Sequence, residues 1–414
     1  MENHEENILN KTILNDNAKC IKGVNVPNLR FPKDISSWLH LPLKNIVKFY
    51  KGIGISKDQL SINGKECILY GQLYTTYNSE LIEEIFSKTN LPVQNLFIGE
   101  YNDIIIPASG ETAIDISRAC CVLKDKILFG GDLNILRPIK HNGGFLSYQL
   151  NGKRKLDIAK ISQGASIVHL HNSDLENIFV FIPNNIIIEN KIVELMSRID
   201  KRIEAQSKII KDLESLKEGI SYQIFVNLAS TWGKVDLCRI LHERKTYAFK
   251  DDFYPHVSLS KEGIYPKTDR YNRDFLVKDN EKEYKITLLN DLCYNPANLK
   301  FGVICLNKFG AAIFSPIYVT FEIAHQYNPY FIELSLINKK FINCILKFEQ
   351  GTVYERMSVC PENFIKAKIP IPSLDEQLHY SKIFENLDTK IQKEKGILEL
   401  YKKQKTYLLQ NMFI

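Results

Sequence analysis

Two stretches of this 414-residue chain, one near its middle and one at its end, align without a gap: Asp200 falls on Asp388, Ile203 on Ile391, Ile220 on Leu408 and Phe225 on Phe413. Both stretches are charged and of helical period, and each follows an Ile-Pro pair, Ile182-Pro183 and Ile371-Pro372. Upstream, further landmarks recur in the same order. The two Trp residues open matching segments, Trp38-Leu39-His40-Leu41-Pro42-Leu43-Lys44-Asn45-Ile46 and Trp232-Gly233-Lys234-Val235-Asp236-Leu237-Cys238-Arg239-Ile240, with Trp, Leu and Ile at the same relative positions. Gln163-Gly164 precedes the first Ile-Pro much as Gln350-Gly351 precedes the second. A repeat of this kind reads as domain, helix, domain, helix, and two domains is also what the length suggests.

Within each domain the pattern is mixed. Ile104-Ile105-Ile106-Pro107 and Phe179-Val180-Phe181-Ile182-Pro183 read as strands bounded by Gly, Asn and Pro turns, whereas Ser79 to Ser87 and Pro329 to Leu346 read as helical. The expected fold class is therefore α+β, duplicated, with two long helices. The boundaries are an extended or partly ordered arm over 1–35, a first domain over 36–184, a central helix over 185–226, a second domain over 227–373 and a C-terminal helix over 374–414.

In the central helix Ile192, Met196, Ile199, Ile203, Ile210, Leu213, Ile220 and Ile224 recur in alternating steps near three and four. That spacing defines a coiled-coil seam. Phe384, Leu387, Ile391, Leu398, Tyr401, Leu408 and Met412 occupy equivalent positions in the C-terminal helix. Gln206 and Lys217 interrupt the first seam, and Glu394 and Lys405 interrupt the second at the same two places. An antiparallel pairing that sets Lys217 against Glu394 and Lys405 against Gln206 gives every polar seam residue a polar mate, which is the expected register because an unpaired buried charge is costly. From Ile199 to Ile224 such a helix rises ~38 Å at ~1.5 Å per residue, close to the ~34–36 Å turn of B-DNA.

Composition is that of a folded protein, 44% hydrophobic and 25% charged, with a net charge of +6. The 20 Tyr and 22 Phe, many of them among Lys, Arg and Asn, suit a nucleic-acid surface as well as a β-rich core. Nine Cys without a CxxC pair indicate reduced thiols rather than a zinc site or a disulfide framework. The acidic N-terminus and the lack of any run near the about 18 apolar residues of a membrane span point to a cytoplasmic protein without a membrane segment.

Catalytic motifs are absent. Tyr294-Asn295-Pro296-Ala297-Asn298 lacks the second Pro and the aromatic of a methyltransferase loop and reads as a turn; Gly52-Ile53-Gly54 lacks a third Gly. Glu283-Tyr284-Lys285 and Glu243-Arg244-Lys245 each offer a nuclease-like Glu-x-Lys fragment that a Lys-rich chain produces by chance, and His169-Leu170-His171 offers half a metal site on a strand. No catalytic or metal-binding residue is assigned, so a binding role is favoured over a stand-alone methyltransferase or nuclease with a divergent site.

Reading duplex DNA requires cations and amides for phosphates and side chains that reach base edges. In the first domain the candidates are Tyr70, Gln72 and Tyr74, the basic loop at Lys140 and His141, and the cluster Lys153, Arg154 and Lys155. In the second they are Arg239, Arg244, Lys245, Lys267, Arg270, Tyr271, Asn272 and Arg273. Arg270, Arg273 and the Lys153 cluster suit phosphates; Gln72, Tyr271 and Asn272 suit bases.

The repeat, the Trp-opened domains and Ile371-Pro372-Ser373-Leu374-Asp375-Glu376-Gln377 leading into the last helix resemble the specificity subunits of type I restriction-modification systems. Pro27-Asn28-Leu29-Arg30-Phe31, Leu128-Phe129-Gly130-Gly131-Asp132-Leu133 and Gln163-Gly164 extend the resemblance over nearly the whole chain. It implies two target recognition domains, each reading one half of a bipartite DNA site, separated by antiparallel helices. It implies two methylation subunits docked chiefly on the helical region, two restriction (motor-nuclease) subunits in the full complex, and S-adenosylmethionine, ATP and magnesium bound by those partners. One departure stands out: after the first Ile-Pro the chain reads Asn184-Asn185-Ile186-Ile187-Ile188-Glu189-Asn190 in place of Glu-Gln, so a shifted helix start is expected there.

Overall fold

The computed structural model describes residues 25–31, 37–162, 164, 167–249, 253–261, 263–267, 283–349 and 358–414. Most of the N-terminal arm, Gln163, Gln350-Gly351 and the Arg270-Tyr271-Asn272-Arg273 run lie outside the described residues. The chain forms two compact units, one of Met1–Ser207 with Ile397–Ile414, the other of Lys208–Gly396. Each unit thus takes part of both long helices.

In the first unit the strand after Trp38, Leu39–Pro42, pairs antiparallel with Phe179–Ile182, so the chain enters the domain beside the strand by which it leaves. Trp38 is buried with its ring 5.7 Å from Phe145. A five-stranded sheet runs in the order Val47–Lys51, Leu133–Pro138, Ile104–Pro107, Cys120–Val122, Leu81–Ile82. Ile104–Pro107 is central and buried on both faces: Ile104 and Ile106 join the core beneath the helices, while Ile105 points into a second core shared with Ile68, Phe129 and Ile135. Period-two alternation divides three successive Ile between two cores. A second five-stranded sheet, containing Lys65–Ile68 and Leu128–Phe129, closes that outer core. Its crossing with the first sheet explains the glycines: a Cβ on Gly52 would lie 1.9 Å from the Gly130 carbonyl oxygen.

The helix expected over Ser79 to Ser87 is absent. Leu81–Ile82 and Ser87–Thr89 are strands, because Leu81 and Ile82 are both buried and pair in parallel with Cys121 and Val122. Tertiary pairing overrides local propensity here.

The second unit repeats the plan. Lys234–Asp236, just after Trp232, pairs antiparallel with Lys368–Pro370, and a sheet runs Leu241–Glu243, Val319–Ile323, Leu292–Tyr294, Ile304–Leu306. Leu292 and Tyr294 face the helical core and Cys293 the outer one. Leu43, Leu237 and Ile240 are fully buried and Ile46 nearly so, as the aligned Trp segments require. The helical stretch from Pro329 breaks at Asn338, giving Pro329–Ile337 and Lys339–Ile345; the Asn338 side chain caps the second by accepting from the Phe341 N–H at 2.9 Å.

One nearly buried helix in each unit docks against the long helices. Gly143–Asn151 is capped by Asn142, which accepts from the Phe145 N–H at 3.2 Å, and Pro329–Ile337 by Asn328, which accepts from the Phe331 N–H at 2.9 Å. Phe145 then meets Phe413 at 5.4 Å and Phe331 meets Phe225 at 5.5 Å. The aligned pair Phe225 and Phe413 therefore fills the same socket in the two units.

The long helices are Ile186–Tyr222 and Leu374–Asn411. Counted from the Ile-Pro pairs, the first helix starts three residues after Pro183 and the second two residues after Pro372, so the expected shift is one residue, taken up in the loop before Ile186, while the helices themselves stay aligned in the repeat. Glu189 then occupies the place of Gln377. The Glu189 carboxylate accepts from the Asn142 N–H at 2.7 Å and the Gln377 amide oxygen from the Asn328 N–H at 3.0 Å. A carboxylate and an amide serve equally well, since one good acceptor is what the cap's backbone needs.

Every apolar seam position named above is buried or half-buried. The expected register is corrected, however. Lys217 pairs with Asp388 at 2.5 Å, not with Glu394, which pairs with Lys390 at 2.5 Å on its own helix. Lys405 pairs with Asp200 at 2.6 Å and Glu80 at 2.5 Å rather than with Gln206, itself buried. Both lysines find an aspartate on the opposite long helix, and Lys405 finds Glu80 of the domain as well. In the second unit, Lys217 against Asp388 and Glu214 against Lys395 show the helices running antiparallel.

Gly219 and Gly396 sit inside these helices with open space where a Cβ would be. Each Gly→Ala substitution is expected to raise stability by about 0.5–1 kcal/mol, read as a higher urea midpoint; a lower midpoint contradicts the open geometry.

Candidate nucleic-acid interface

Each domain is stiffened by one buried carboxylate at the head of its central strand. Asp103 is fully buried and accepts from Arg137 Nε and Nη2, both at 2.7 Å, and from the Glu100 N–H at 2.8 Å. Asp291 accepts from Arg244 Nε at 2.8 Å and Nη2 at 3.0 Å, and from the Leu288 N–H at 2.7 Å. The preceding residues, Asn102 and Asn290, both adopt left-handed backbone, with φ of 78° and 68°. Yet the two arginines come from different strands. Arg137 lies beside the partner of Ile104, where the second domain has Glu322; Arg244 lies where the first has Tyr50. Arg137 packs on Tyr50 with 5.1 Å to the ring centre, and Arg244 reaches Glu322 at 3.4 Å. In each case the carboxylate beside the guanidinium raises its affinity for the proton, so the clamp is a fixed ion pair.

These clamps decide which candidate residues can face a ligand. Arg244 is spent on Asp291, and Lys245 is exposed with a weak contact to Glu243 at 3.3 Å. Gln72 accepts from the Leu69 N–H at 2.9 Å and donates to Ser87, so both amide atoms are engaged within the fold. The Tyr74 hydroxyl donates to the Ser109 carbonyl at 3.2 Å, and burial raises its pKa. Tyr77, pushed up to about 12 by burial, stacks on Phe86; of this aromatic segment only Tyr70 is exposed among the three Tyr.

The Lys140-His141 loop is held at His141. His141 Nδ1 lies 2.8 Å from the buried Glu189 carboxylate, and its carbonyl accepts from the Asn102 side chain at 2.9 Å, which leaves Lys140 as the exposed member. Arg154 is likewise engaged, with Asp157 at 3.0 Å, the Ile414 carbonyl at 2.6 Å and the Phe181 ring at 5.6 Å; Lys153 is exposed and Lys155 half-buried on the same turn. In the second unit Arg239 is exposed, and half-buried Lys267 ends the hairpin strand Ile264–Pro266 through its N–H on the His256 carbonyl at 2.9 Å.

Two Glu-x-Lys fragments, read separately in the sequence, meet in the structure: Lys285 is buried and pairs with Glu243 at 3.0 Å. Tyr294 is fully buried, stacks on Phe364 at 4.6 Å and donates to the Val359 carbonyl at 2.9 Å, while Asn295 accepts from the Ala297 N–H at 3.1 Å, the geometry of a turn. His169 and His171 are exposed, and their parallel rings lie 6.4 Å apart. Among the described residues no group of three or more His, Cys, Asp or Glu is placed to hold a metal ion, and no helix is long and apolar enough to cross a membrane. The eight described Cys are free, five of them buried, and burial pushes the Cys67 and Cys120 thiols up to about 11.

No family model matches the sequence, and no curated protein matches it. Solved structures do. The S subunit of a type-I restriction-modification system from M. genitalium superposes with a TM-score of 0.62 at 14% identity, covering 94% of this chain and 99% of that one. The two chains share one fold. A chain from a structural study of complex assembly and conformational transition of the type I R-M system gives a TM-score of 0.55 at 12% identity, covering 91% and 97%. Coverage this complete extends the likeness to both domains and both helices, at identities where backbone plan alone is comparable.

Sequence reasoning missed the Asp103–Arg137 clamp and the partners of Lys217 and Lys405. The signal for the latter was present: Asp200 and Asp388 align in the repeat, as do Lys217 and Lys405.

Proposed function

We propose that this chain reads DNA sequence for a type I restriction-modification complex, one half-site of a bipartite target per domain, and directs methylation and restriction subunits to it. The observation that carries the reading is the duplication itself: two domains of one plan, each docked on both long helices through the same cap and the same Phe socket, in a fold shared with an S subunit. Two equivalent readers suit a target with two halves. Chemistry then belongs to the partners, two methylation and two restriction subunits, which hold S-adenosylmethionine, ATP and magnesium in the cytoplasm. The residues proposed to meet DNA are the exposed ones, Tyr70, Lys140, Lys153, Arg239 and Lys245, with Lys155 and Lys267 at their edges and the Arg270 to Arg273 run beyond the described residues.

Phosphate contact makes affinity fall steeply with salt, by a slope of about 0.9 per neutralised phosphate. The purified chain is expected to bind duplex DNA with such a slope, and Lys153→Ala and Lys140→Ala each to reduce it by about one unit. A salt-independent affinity sinks the reading, and methyl transfer or cleavage by the chain alone shows a stand-alone enzyme instead.

Inserting one heptad into both helices is expected to lengthen the unread gap between half-sites while leaving the half-sites unchanged. Methylome sequencing of cells carrying the altered chain with its partner subunits reads the gap directly, and an unchanged gap removes the helices' role as spacer.

A further inference from the structure

The long helices carry one polar arrangement twice. In the first unit Asp200, on the central helix, receives the Lys405 ammonium of the C-terminal helix on one oxygen at 2.6 Å and the Tyr148 hydroxyl on the other at 2.7 Å. In the second unit Asp388, on the C-terminal helix, receives the Lys217 ammonium of the central helix at 2.5 Å and the Tyr330 hydroxyl at 2.5 Å. The roles of the helices are exchanged and the lysine and phenol contacts are kept, with the Ser79 hydroxyl a longer third donor to Asp200 at 3.3 Å in the first unit. Each aspartate therefore joins three elements at one point: its own helix, the antiparallel partner and the domain's docking helix.

The tyrosines reveal what is being preserved. Counted from the capping asparagines, Tyr148 lies six residues after Asn142 and Tyr330 two residues after Asn328, one helical turn apart on the same face. The repeat has not kept the residue position. It has kept a phenol on the second carboxylate oxygen. Neighbouring groups reinforce each tyrosine: Lys405 lies 5.9 Å from the Tyr148 ring centre, and Lys308 lies 4.6 Å from that of Tyr330 and 3.5 Å from Glu333.

We propose that Tyr148–Asp200–Lys405 and Tyr330–Asp388–Lys217 are positioning triads that fix the angle at which each reading domain is held on the helix pair, and through it the gap length that the chain accepts in DNA. Apolar seams and Phe sockets hold the elements together but tolerate sliding and rotation, because dispersion contacts are individually weak and non-directional. A carboxylate whose two oxygens take donors from two elements is directional, and turning the domain about the helices breaks the phenol bond first. The inference rests on the DNA-reading function and assigns these residues no contact with DNA.

The test uses the full chain and selection from random-sequence duplex DNA, with wild type, Tyr148→Phe, Tyr330→Phe and Tyr294→Phe compared. Tyr294→Phe is the matched control, since it deletes a buried hydroxyl whose bond to the Val359 carbonyl lies away from both triads. Wild type should return two half-sites at one gap length. Tyr148→Phe and Tyr330→Phe should return the same half-sites, with preference for that gap over gaps one base pair longer or shorter reduced about tenfold, the ratio one charge-assisted hydrogen bond sustains. Tyr294→Phe should keep the wild-type gap. If both triad variants hold the single gap, or if Tyr294→Phe broadens it as much as they do, the triads are merely stabilising and the proposal fails. If wild type itself returns no paired half-sites, the DNA-reading function fails and takes the proposal with it.

Discussion

Lys405→Met is expected to be among the most damaging single changes in the first unit, lowering its stability by about 3–5 kcal/mol. The ammonium is largely buried between Glu80 and Asp200, at 2.5 and 2.6 Å, with side-chain exposures of 16%, 13% and 10%. Its loss leaves two neighbouring carboxylates facing one another in a site that water scarcely reaches. Burial already raises the Glu80 pKa, against the lowering effect of Lys405 and with a further push from Asp200. Without Lys405 the main opposing influence is gone and only a backbone hydrogen bond at Glu80 still favours the charged form, so the folded variant should hold a proton that the unfolded chain releases. A carboxyl whose folded pKa exceeds its unfolded value contributes stability that is present below the unfolded pKa, near 4, and is lost as pH rises through the folded one. Lys405→Met should therefore regain part of its stability on acidification from neutral pH. The equivalent Lys217→Met should cost less, since Lys217 and Asp388 are 30% and 39% exposed and water screens them. Urea unfolding followed by Trp38 fluorescence in a Trp232→Phe background for the Lys405 variant, and by Trp232 fluorescence in a Trp38→Phe background for the Lys217 variant, measures the difference between the two units. Equal losses for the two variants contradict the assignment.

The second large effect concerns the Asp103 clamp. Arg137→Ala is expected to destabilise the first unit by about 3 kcal/mol or more, because the fully buried Asp103 keeps only the Glu100 N–H. Arg137→Lys should recover about half of that at most, since an ammonium cannot make the paired Nε and Nη2 bonds or lie flat against Tyr50. The second unit offers a sharper version. Arg244→Tyr should be comparably harmful, and adding Glu322→Arg should restore stability by rebuilding the first unit's arrangement around Asp291. A double variant no more stable than Arg244→Tyr shows that the two positions are not interchangeable sources of the same clamp.

The sequence made the duplication and the helical seams legible because both are linear patterns. Phe225 and Phe413 could be aligned by eye, and they occupy the same socket. What could not be read were partners set by folding. Lys217 and Lys405 were visible as interruptions, but their mates include Glu80, a residue more than three hundred positions from Lys405, on a segment whose local composition favours helix and whose pairing with Cys121 makes it strand. The same holds for the candidate interface. Gln72, Tyr74, His141 and Arg154 have the chemistry of DNA contacts, yet Ser87, Ser109, Glu189 and the Ile414 carbonyl, all distant in sequence, engage them first. Exposed single lysines such as Lys153 are visible in the sequence only as charge, and exposure is what separates them from Arg154 beside it.

Whether the two domains read two separated elements of one DNA site is tested most directly by selection of duplex DNA from a random library with the intact wild-type chain. Two short constant elements separated by an unread gap of constant length are the predicted result; one uninterrupted motif, or no enrichment at low salt, would contradict it.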